Sequence, residues 1–424
     1  MKTHRDIVIA GGGMVGASLA LQLGAALPEQ VTICLIEGFA LPSPLATGRP
    51  EYHPSFDARS TALSYSSRLI YEKMGFWDEL QQWLCPIESI HVSSRGRFGS
   101  SLLRAGDYDW SALGYVVENA WLGNALIQAL HRQGRVEILS PAKVASAEPR
   151  GRGMRLQLAD TPISVIDTSL LLVADGASSG LRQQLGVNVR EKPYRQHALI
   201  ANVAFAQPHS GCAYERFTDQ GPVALLPLLA SSPGENRSAL VWTLSPALAE
   251  HLQSCPAKEF LQALQGRFGY RLGRLLQVGE RHCYPLSLIQ CGEQVRQGVV
   301  VMGNAAHALH PVAGQGFNLA LRDVAELASA VAQGMRQGQS PGDLALLQGY
   351  LKRQQPDQSR TIELSDRLPS LFMRSDPVLA LTRDLALSGL DILPPLKRLF
   401  VRHAAGVAAM NDAMAAPLAG RDHG

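Results

Sequence analysis

The segment Gly11–Gly16 reads G-x-G-x-x-G and connects two regular patterns. The β-branched run Ile7–Ile9 before it predicts a strand, and the Ala/Leu-rich stretch to about Leu27 after it predicts a helix. The segment Val31–Ile36 predicts a second strand, which ends just before Glu37, 21 residues after the last glycine. Strand, glycine turn, helix and strand in this order restrict the start of the chain to a βαβ unit, and hence to parallel sheet covered by helices.

The glycines and Glu37 match the physical needs of a bound dinucleotide. Gly11 permits a tight turn, Gly13 lets a pyrophosphate approach the backbone, and Gly16 lets the helix pack on the strand. Glu37 is placed to accept both hydroxyls of an adenosine ribose, and its charge would repel a 2′-phosphate. The pattern favours FAD or NAD over NADP, and the alternative is a glycine-rich turn that binds no ligand.

Composition excludes several other classes of protein. Of the 424 residues, 46% are hydrophobic and 18% charged, which is typical of a folded protein with a sizeable core. The net charge of +3 is too small for an electrostatic nucleic-acid binder. The six cysteines form no C-x-x-C pair and no H-E-x-x-H motif occurs, so we predict neither a disulfide framework nor a metal site.

The sequence also limits the expected location of the protein. The first residues carry charges of both signs, and no run of about 18 apolar residues occurs anywhere in the chain. We therefore expect no signal peptide and no membrane span. The expectation is a cytoplasmic protein whose membrane contact, where it has one, is peripheral and at the inner face of the cell membrane.

The distribution of strand and helix patterns predicts an α/β fold with three regions. Region 186–285 has mostly strand character, which predicts a separate antiparallel or mixed sheet. A strand at Val299–Met302 and a helix near Asn318–Gln333 return the chain to the first domain, and Ser60–Leu84 has helical periodicity. We therefore predict a nucleotide-binding domain, 1–185 with 286–335 returning to it, a sheet domain, 186–285, and a helical C-terminal region, 336–424.

Three later segments carry further motifs. Asp57–Ser64 places an arginine just before a predicted helix, and Val173–Arg182 places an Asp-Gly turn directly after an apolar strand. Gly303–His307 is followed by Pro311–Asn318, a second glycine-rich turn at the start of a helix. One dinucleotide motif does not distinguish FAD from NAD, so these segments decide the assignment.

Together these motifs resemble the single-component flavoprotein aromatic hydroxylases, the group that includes para-hydroxybenzoate hydroxylase. Within it the chain is most similar to the ubiquinone-biosynthesis hydroxylases, over nearly its whole length, including Glu215–Thr218 and Tyr284–Leu286. The resemblance implies a Rossmann-type FAD domain interleaved with a substrate-binding sheet. Asn304 replaces the aspartate of most of the wider group. This departure favours the branch that acts on 2-polyprenyl-6-methoxyphenol and implies a weaker bond to the ribityl chain of FAD.

The resemblance also assigns roles to residues whose motifs match. Besides Gly11, Gly13, Gly16 and Glu37, the implied FAD contacts are Arg59, Asp175, Gly176, Gly303, Asn304, Gly314, Gln315, Gly316 and Asn318. No catalytic residue is assigned. The candidates are Pro311, which would shape the turn beneath the flavin, and His307 and His310, which are three residues apart on this turn and have packed core histidines as their alternative. Plausible lining of an apolar substrate pocket is Phe217, Leu225, Leu226 and Pro227.

The implied reaction is hydroxylation of an aromatic ring by O2 through a flavin C4a-hydroperoxide, which the protein must keep dry. No second G-x-G-x-x-G follows a strand, so NAD(P)H is expected to act as a transient reductant. A methoxyphenol is already activated, so a strong base is not obligatory and none is assigned. Alternatives are a hydroxylase acting at another ring position and a non-catalytic FAD-binding subunit of a biosynthetic complex; a halogenase is disfavoured because no W-x-W pair occurs.

A polyprenyl substrate implies contact with lipid or with partner proteins. The segment Leu390–Val407 combines leucines with Lys397, Arg398 and Arg402, a basic amphipathic pattern that suits a membrane surface or a protein complex. The alternative is a helix packed on its own domain. The oligomeric state is open.

Overall fold

A computed structural model describes residues 3–42, 59–95, 100–311, 314–373 and 405–406. Most of the predicted loop Leu41–Pro54 and nearly all of Leu390–Val407 lie outside these ranges, as do Asp57, Ala58, Val312 and Ala313. The helices are α1 (Met14–Ala26), α2 (Tyr65–Lys73), α3 (Trp77–Leu80), α4 (Asn119–Gln133), α5 (Gly180–Gln184), α6 (Pro246–Ser254), α7 (Ala257–Phe268), α8 (Gln315–Arg336) and α9 (Leu344–Met373).

The strands follow in chain order. They are β1 (Thr3–Ala10), β2 (Ile33–Ile36), β3 (Ser60–Ser64), β4 (Cys85–Ile87), β5 (Ser89–Ser94), β6 (Ser100–Arg104), β7 (Gly114–Glu118), β8 (Val136–Leu139), β9 (Lys143–Arg150), β10 (Gly153–Ala159), β11 (Val165–Val173), β12 (Val189–Phe205), β13 (Cys212–Thr218), β14 (Gly221–Pro227), β15 (Asn236–Leu244), β16 (Leu275–Val278), β17 (His282–Cys291), β18 (Val295–Arg296), β19 (Val299–Val301) and β20 (His307–Ala308).

The first sheet has the order β18-β19-β11-β1-β2-β8, with the hairpin β9–β10 added to β11. Strands β1, β2, β8, β11 and β19 run parallel, as the opening βαβ pattern requires. Helices α1, α4 and α8 pack together on one face. The side chains of Ile7, Ile9 and Leu19 are fully buried between the sheet and these helices, because a parallel sheet is covered on its faces. The α/β Rossmann-type fold class is confirmed.

The second sheet has the order β20-β17-β12-β15-β14-β13-β5-β6, and β16 also pairs with β12. It extends beyond 186–285, because β5 and β6 come from earlier in the chain and β20 from later. The join is made by β13, which runs parallel to β5 with Glu215 opposite Val92. Region 186–285 also contains α6 and α7, which cover the far face of this sheet around Trp242 and Phe260. The prediction of a mostly strand region missed these two helices.

A small third sheet has the order β3-β7-β4 and contacts α8 through β3 and β14 of the second sheet through β4. Its strand β3 corrects the prediction that Ser60–Leu84 is helical from its first residue. Antiparallel pairing with β7 holds this segment extended, and helix α2 begins only after Ser64, whose hydroxyl caps it through the Ser67 N–H. The residue after Arg59 therefore starts a strand and not a helix.

Candidate active site

The first glycine turn joins β1 to α1 at the edge of a large cavity. Gly11 has φ +107°, and a Cβ there would lie 2.5 Å from the Ala174 carbonyl oxygen. A Cβ at Gly16 would lie 1.9 Å from the Gly11 carbonyl oxygen, so the helix and the turn touch at this point. Gly11 and Gly13 line the cavity, whereas Gly16 provides the packing beneath them.

Glu37, directly after β2, lies beside this turn and is only 5% exposed. Its Oε2 accepts the Gly12 N–H at 2.6 Å, and its Oε1 accepts the Phe39 N–H at 3.1 Å. These two bonds hold a carboxylate at the cavity wall near the glycine turn. The arrangement suits a ligand that presents hydroxyl groups, such as a ribose.

The second glycine turn begins helix α8. Gly314 caps this 22-residue helix with φ +59°, and Gln315 and Gly316 form its first turn on the cavity wall. A Cβ at Gly316 would meet no atom of the described residues within 4 Å, so this side of the first helical turn has room for a ligand. A helix N-terminus carries partial positive charge and unpaired N–H groups, which favour the electron-rich edge of a ligand.

Asn318, predicted as a cofactor contact, lines the cavity and also joins α8 to the strand and helix before it. Its Oδ1 accepts the Ser64 N–H at 2.8 Å and the Ser67 hydroxyl at 2.7 Å. Its Nδ2 donates to the carbonyl oxygens of Ala62 and Gly314, both at 2.8 Å. An amide has two acceptor sites and two donors, so this side chain is saturated and positions the second glycine turn. Because Asn318 is also part of the cavity wall, its contact with the cofactor stays a prediction.

The Asp-Gly turn after β11 and the turn after β19 form a further part of the wall. Asp175 and Asn304 both line the cavity, and Gly176, with φ +94°, would project a Cβ into open space. Burial raises the pKa of Asp175, while bonds from Ser179 and backbone N–H groups oppose the rise. Gly303 does not line the cavity; it has φ +60° and packs against Val15, so its predicted contact becomes a structural turn.

Arg59 lies at the cavity wall just before β3, with its guanidinium 5.0 Å from the centre of the Tyr284 ring. The neighbouring Ser60 hydroxyl oxygen is buried at the same wall and has no hydrogen-bond partner among the described residues. A fixed cation beside an unsatisfied polar atom is a place where a polar ligand completes the bonding.

The two histidines separate into different environments. His307 is 1% exposed and its Nε2 lies 2.7 Å from Oδ2 of Asp323, whose Oδ1 accepts from Gln358. It does not line the cavity, and this placement favours the packed alternative over the catalytic interpretation of His307. His310 and Pro311 do line the cavity. Burial lowers the pKa of His310 to about 4, so its imidazole is neutral near pH 7.

The structure places two of the four predicted substrate-pocket residues at the cavity and the other two on the opposite face of the sheet. Leu226 on this strand and Phe217 on β13 line the cavity. Leu225 is fully buried on the opposite face with Trp242, below α6 and α7, and Pro227 shares that side of the strand by alternation. Successive side chains of a strand point to opposite faces, so four residues chosen by hydrophobicity alone could not all face one pocket.

Glu215 belongs to a motif noted in the sequence, but sequence reasoning gave it no role. This residue lines the cavity, and burial raises the pKa of its carboxyl to about 7. The signal was present in the sequence, because Glu215 precedes Phe217 by two positions and therefore shares its face of the strand.

All of these surfaces belong to one cavity of about 2110 Å³. Sites for drug-sized molecules occupy about 300–1,000 Å³, so this cavity has room for a dinucleotide and an aromatic substrate together. Gly11, Gly13 and Glu37 line one part of it, and the apolar face of the second sheet lines another. A parallel sheet with two glycine turns on one cavity, roofed by an apolar sheet, defines an FAD-dependent aromatic-ring monooxygenase.

Comparisons with known proteins agree with this class. The FAD binding domain family model matches residues 4–363. Ubiquinone hydroxylase UbiL of Rhodospirillum rubrum is 36% identical over 401 residues, covering 95% of this chain and 89% of the relative. The 3-demethoxyubiquinol 3-hydroxylase of Escherichia coli is 30% identical over 403 residues, covering 95% and 98%. The chain belongs to the family of FAD-dependent hydroxylases of ubiquinone biosynthesis.

A solved structure supports the fold. p-Nitrophenol 4-monooxygenase PnpA from Pseudomonas putida DLL-E4 matches with a TM-score of 0.76 and 17% identity, covering 96% of this chain and 99% of the other. FAD is the cofactor and NAD(P)H its reductant; the bound flavin supplies the activation of O2. The chain's own residues hold the Glu37 carboxylate beside the first glycine turn, where it would accept the hydroxyls of a ribose, and present an apolar wall that would exclude water from the flavin.

Proposed function

We propose that the protein hydroxylates the aromatic ring of a polyprenyl-methoxyphenol in ubiquinone biosynthesis, using NAD(P)H and O2. The observation that carries this proposal is the single cavity in which the α8 N-terminus and the apolar face of the second sheet share one space. A phenol in that space would lie between the flavin-binding turn and the sheet. The fixed geometry lowers the entropic cost of bringing the ring to the cofactor.

The sheet end of the cavity supports an apolar, uncharged substrate. Ile90, Leu103, Phe217 and Leu226 form part of its surface. These side chains solvate a ring and the first isoprene units better than water does, because burial of apolar surface is favourable. The substrate class in the names of the two relatives is in keeping with this surface.

A second candidate is a related hydroxylase that acts at another ring position. The relative named 3-demethoxyubiquinol 3-hydroxylase favours it, because its identity of 30% extends over 95% of this chain. Asn304, on the cavity wall, is the feature that favours the 2-polyprenyl-6-methoxyphenol reaction instead. Both reactions use the same cavity and cofactor, so only the product separates them.

Delivery of a lipophilic substrate suggests peripheral contact with the inner face of the membrane or with a ubiquinone-biosynthesis complex. Among the described residues, no helix is both long and apolar enough to cross a bilayer. The basic amphipathic segment Leu390–Val407, the proposed contact, lies almost entirely outside the described ranges.

The test is deletion of the gene in its source organism, with quinone precursors measured by mass spectrometry. We expect 2-polyprenyl-6-methoxyphenol to accumulate and the wild-type gene to restore ubiquinone. Accumulation of 3-demethoxyubiquinol would establish the second candidate, and an unchanged quinone pool would remove the pathway. Purified protein that holds FAD but consumes no NAD(P)H with either phenol would identify a non-catalytic subunit.

A further inference from the structure

A single carboxyl lies in a row of apolar side chains on the second sheet. Glu215 on β13 is opposite Val92 on β5 and Ala224 on β14, and Ala224 is opposite Val241 on β15. All four residues line the cavity. Phe217, two positions further along β13, is on the same face and is apolar. Packing alone would therefore favour an apolar residue at position 215, since burying an ionisable group is unfavourable.

No described residue satisfies this carboxyl. Glu215 forms no hydrogen bond or ion pair within the described part of the chain, and it faces the cavity. Burial is the sole cause that raises its pKa to about 7. A proton acceptor works best when its pKa lies near the working pH, because it is then available as the base and still holds the proton it takes.

We propose that Glu215 is the residue that accepts the proton of the substrate's phenol hydroxyl, an inference that rests on the proposed function. In this step the phenol O–H bond breaks and an O–H bond forms on a Glu215 oxygen. The electron pair of the broken bond stays on the phenol oxygen, so nothing is oxidised or reduced. The negative charge moves from the carboxylate to the ring, which raises electron density at the ring carbons that react with activated oxygen.

Charged groups on the packed elements do not account for the state of Glu215. On β13 and β5, Arg216 and His91 alternate to the opposite face of the sheet, and β14 carries no ionisable side chain. Helix α9 also approaches β13 and β14. Its last described turns carry Glu363, Asp366 and Arg367, which are the groups on that helix to consider.

These groups on α9 are paired with other residues and do not shift the pKa of Glu215. Asp366 accepts from Lys192 and Tyr194, and Arg367 pairs with Glu363. Across the cavity, Arg59 stacks on Tyr284 and His310 is edge-on to Tyr194. None of these groups contributes to the raised pKa, so Glu215 titrates as an isolated acid in an apolar wall.

The test uses the full-length, FAD-loaded protein and a 2-methoxyphenol that carries one short prenyl chain. Three variants are compared with the wild type: Glu215→Gln, Glu215→Asp, and Glu250→Gln as the control, since Glu250 is an exposed carboxylate on α6, on the far side of the sheet and outside the cavity lining. Two quantities are measured against pH: the carboxyl band in infrared difference spectra, and the rate of ring hydroxylation when the pre-reduced protein is mixed with O2.

In the wild type and in Glu250→Gln, one carboxyl band should titrate near pH 7, and the hydroxylation rate should fall as the pH drops below that value. Added phenol should lower the midpoint of the band, because its hydroxyl donates to the charged form. Glu215→Gln should lose the band, hydroxylate about 100-fold more slowly and lose the acid limb, whereas Glu215→Asp should restore part of both. Flavin content and the rate of flavin reduction by NAD(P)H should stay at the wild-type level.

The inference is wrong if Glu215→Gln keeps the wild-type rate and acid limb, or if no band that depends on Glu215 titrates near neutral pH. It is also wrong if the phenol leaves the midpoint unmoved. A wild-type protein that oxidises NAD(P)H but converts no phenol would instead contradict the proposed function. The infrared titration separates the two failures, because it does not require turnover.

Discussion

Asn318→Asp tests whether the saturated amide holds the second glycine turn. The substitution keeps the shape of the side chain but replaces the NH2 group by an oxygen. The bonds to Ser64 and Ser67 remain available, whereas the Ala62 and Gly314 carbonyl oxygens lose their donor. Because the side chain is only 1% exposed, water cannot replace it.

Each buried polar group left without a partner costs about 1–3 kcal/mol, so two carbonyls facing a carboxylate predict a loss of about 4 kcal/mol in the free energy of unfolding. Protonation of the introduced carboxyl restores one donor. Its pKa should therefore lie above the usual range for an aspartate, and the loss should be smaller in acid and grow as the pH rises from the unfolded-state pKa to the folded-state pKa. FAD should also dissociate more readily, because Gly314 caps the helix whose N-terminus is the predicted flavin contact.

The assay is urea unfolding at a fixed excess of FAD, followed by tryptophan fluorescence and by release of flavin. The control is Asn188→Asp, the same chemical change at an exposed position, which should alter the free energy by less than about 0.5 kcal/mol. If Asn318→Asp unfolded within about 1 kcal/mol of the wild type and kept its flavin, the positioning role would be refuted.

Three further substitutions test the two ends of the cavity and the core face of β14. Gly316→Val should leave the fold intact, since a Cβ there meets no described atom within 4 Å. It should weaken FAD binding at least about 100-fold, because the new side chain fills the space beside the first turn of α8. A fluorescence titration with FAD measures this, and unchanged affinity would contradict the placement of the cofactor. Leu225→Ala should lower the free energy of unfolding by about 2–5 kcal/mol and leave the KM for the phenol unchanged, because Leu225 is in the core. Leu226→Ala should raise that KM, because Leu226 lines the cavity. The reverse pattern would show that the wrong face of β14 was assigned to the cavity.

The start of the fold could be predicted because its signals are local. In the β1–α1–β2 unit, the glycines, the apolar runs and Glu37 lie within about 30 residues, the usual length of such a unit. The assembly of the second sheet could not be predicted in the same way. The β5–β13 pairing joins Val92 to Glu215, and nothing in either segment specifies a partner so far along the chain.

Short segments without clear periodicity were the other source of error. Ser60–Ser64 contains small residues that are compatible with several conformations, and its pairing with Gly114–Glu118 decides in favour of a strand. The choice of His307 as a catalytic candidate has the same cause. Its spacing from His310 suggested a shared role, but its Nε2 hydrogen-bonds with Asp323 on α8, 16 residues later. A histidine's function depends on partners that become neighbours only after folding.

The alternation of side chains between the two faces of β13 and β14 explains both the correct and the incorrect parts of the predicted substrate pocket. Choosing by hydrophobicity selected Phe217 and Leu226 on the cavity face together with Leu225 on the core face, because both faces of a strand between a core and a dry cavity are apolar. The same criterion passed over Glu215, which is polar but shares the face of Phe217. In a cavity that must exclude water, an ionisable side chain on the apolar face is the stronger sign of chemistry, because packing gives no reason for its presence.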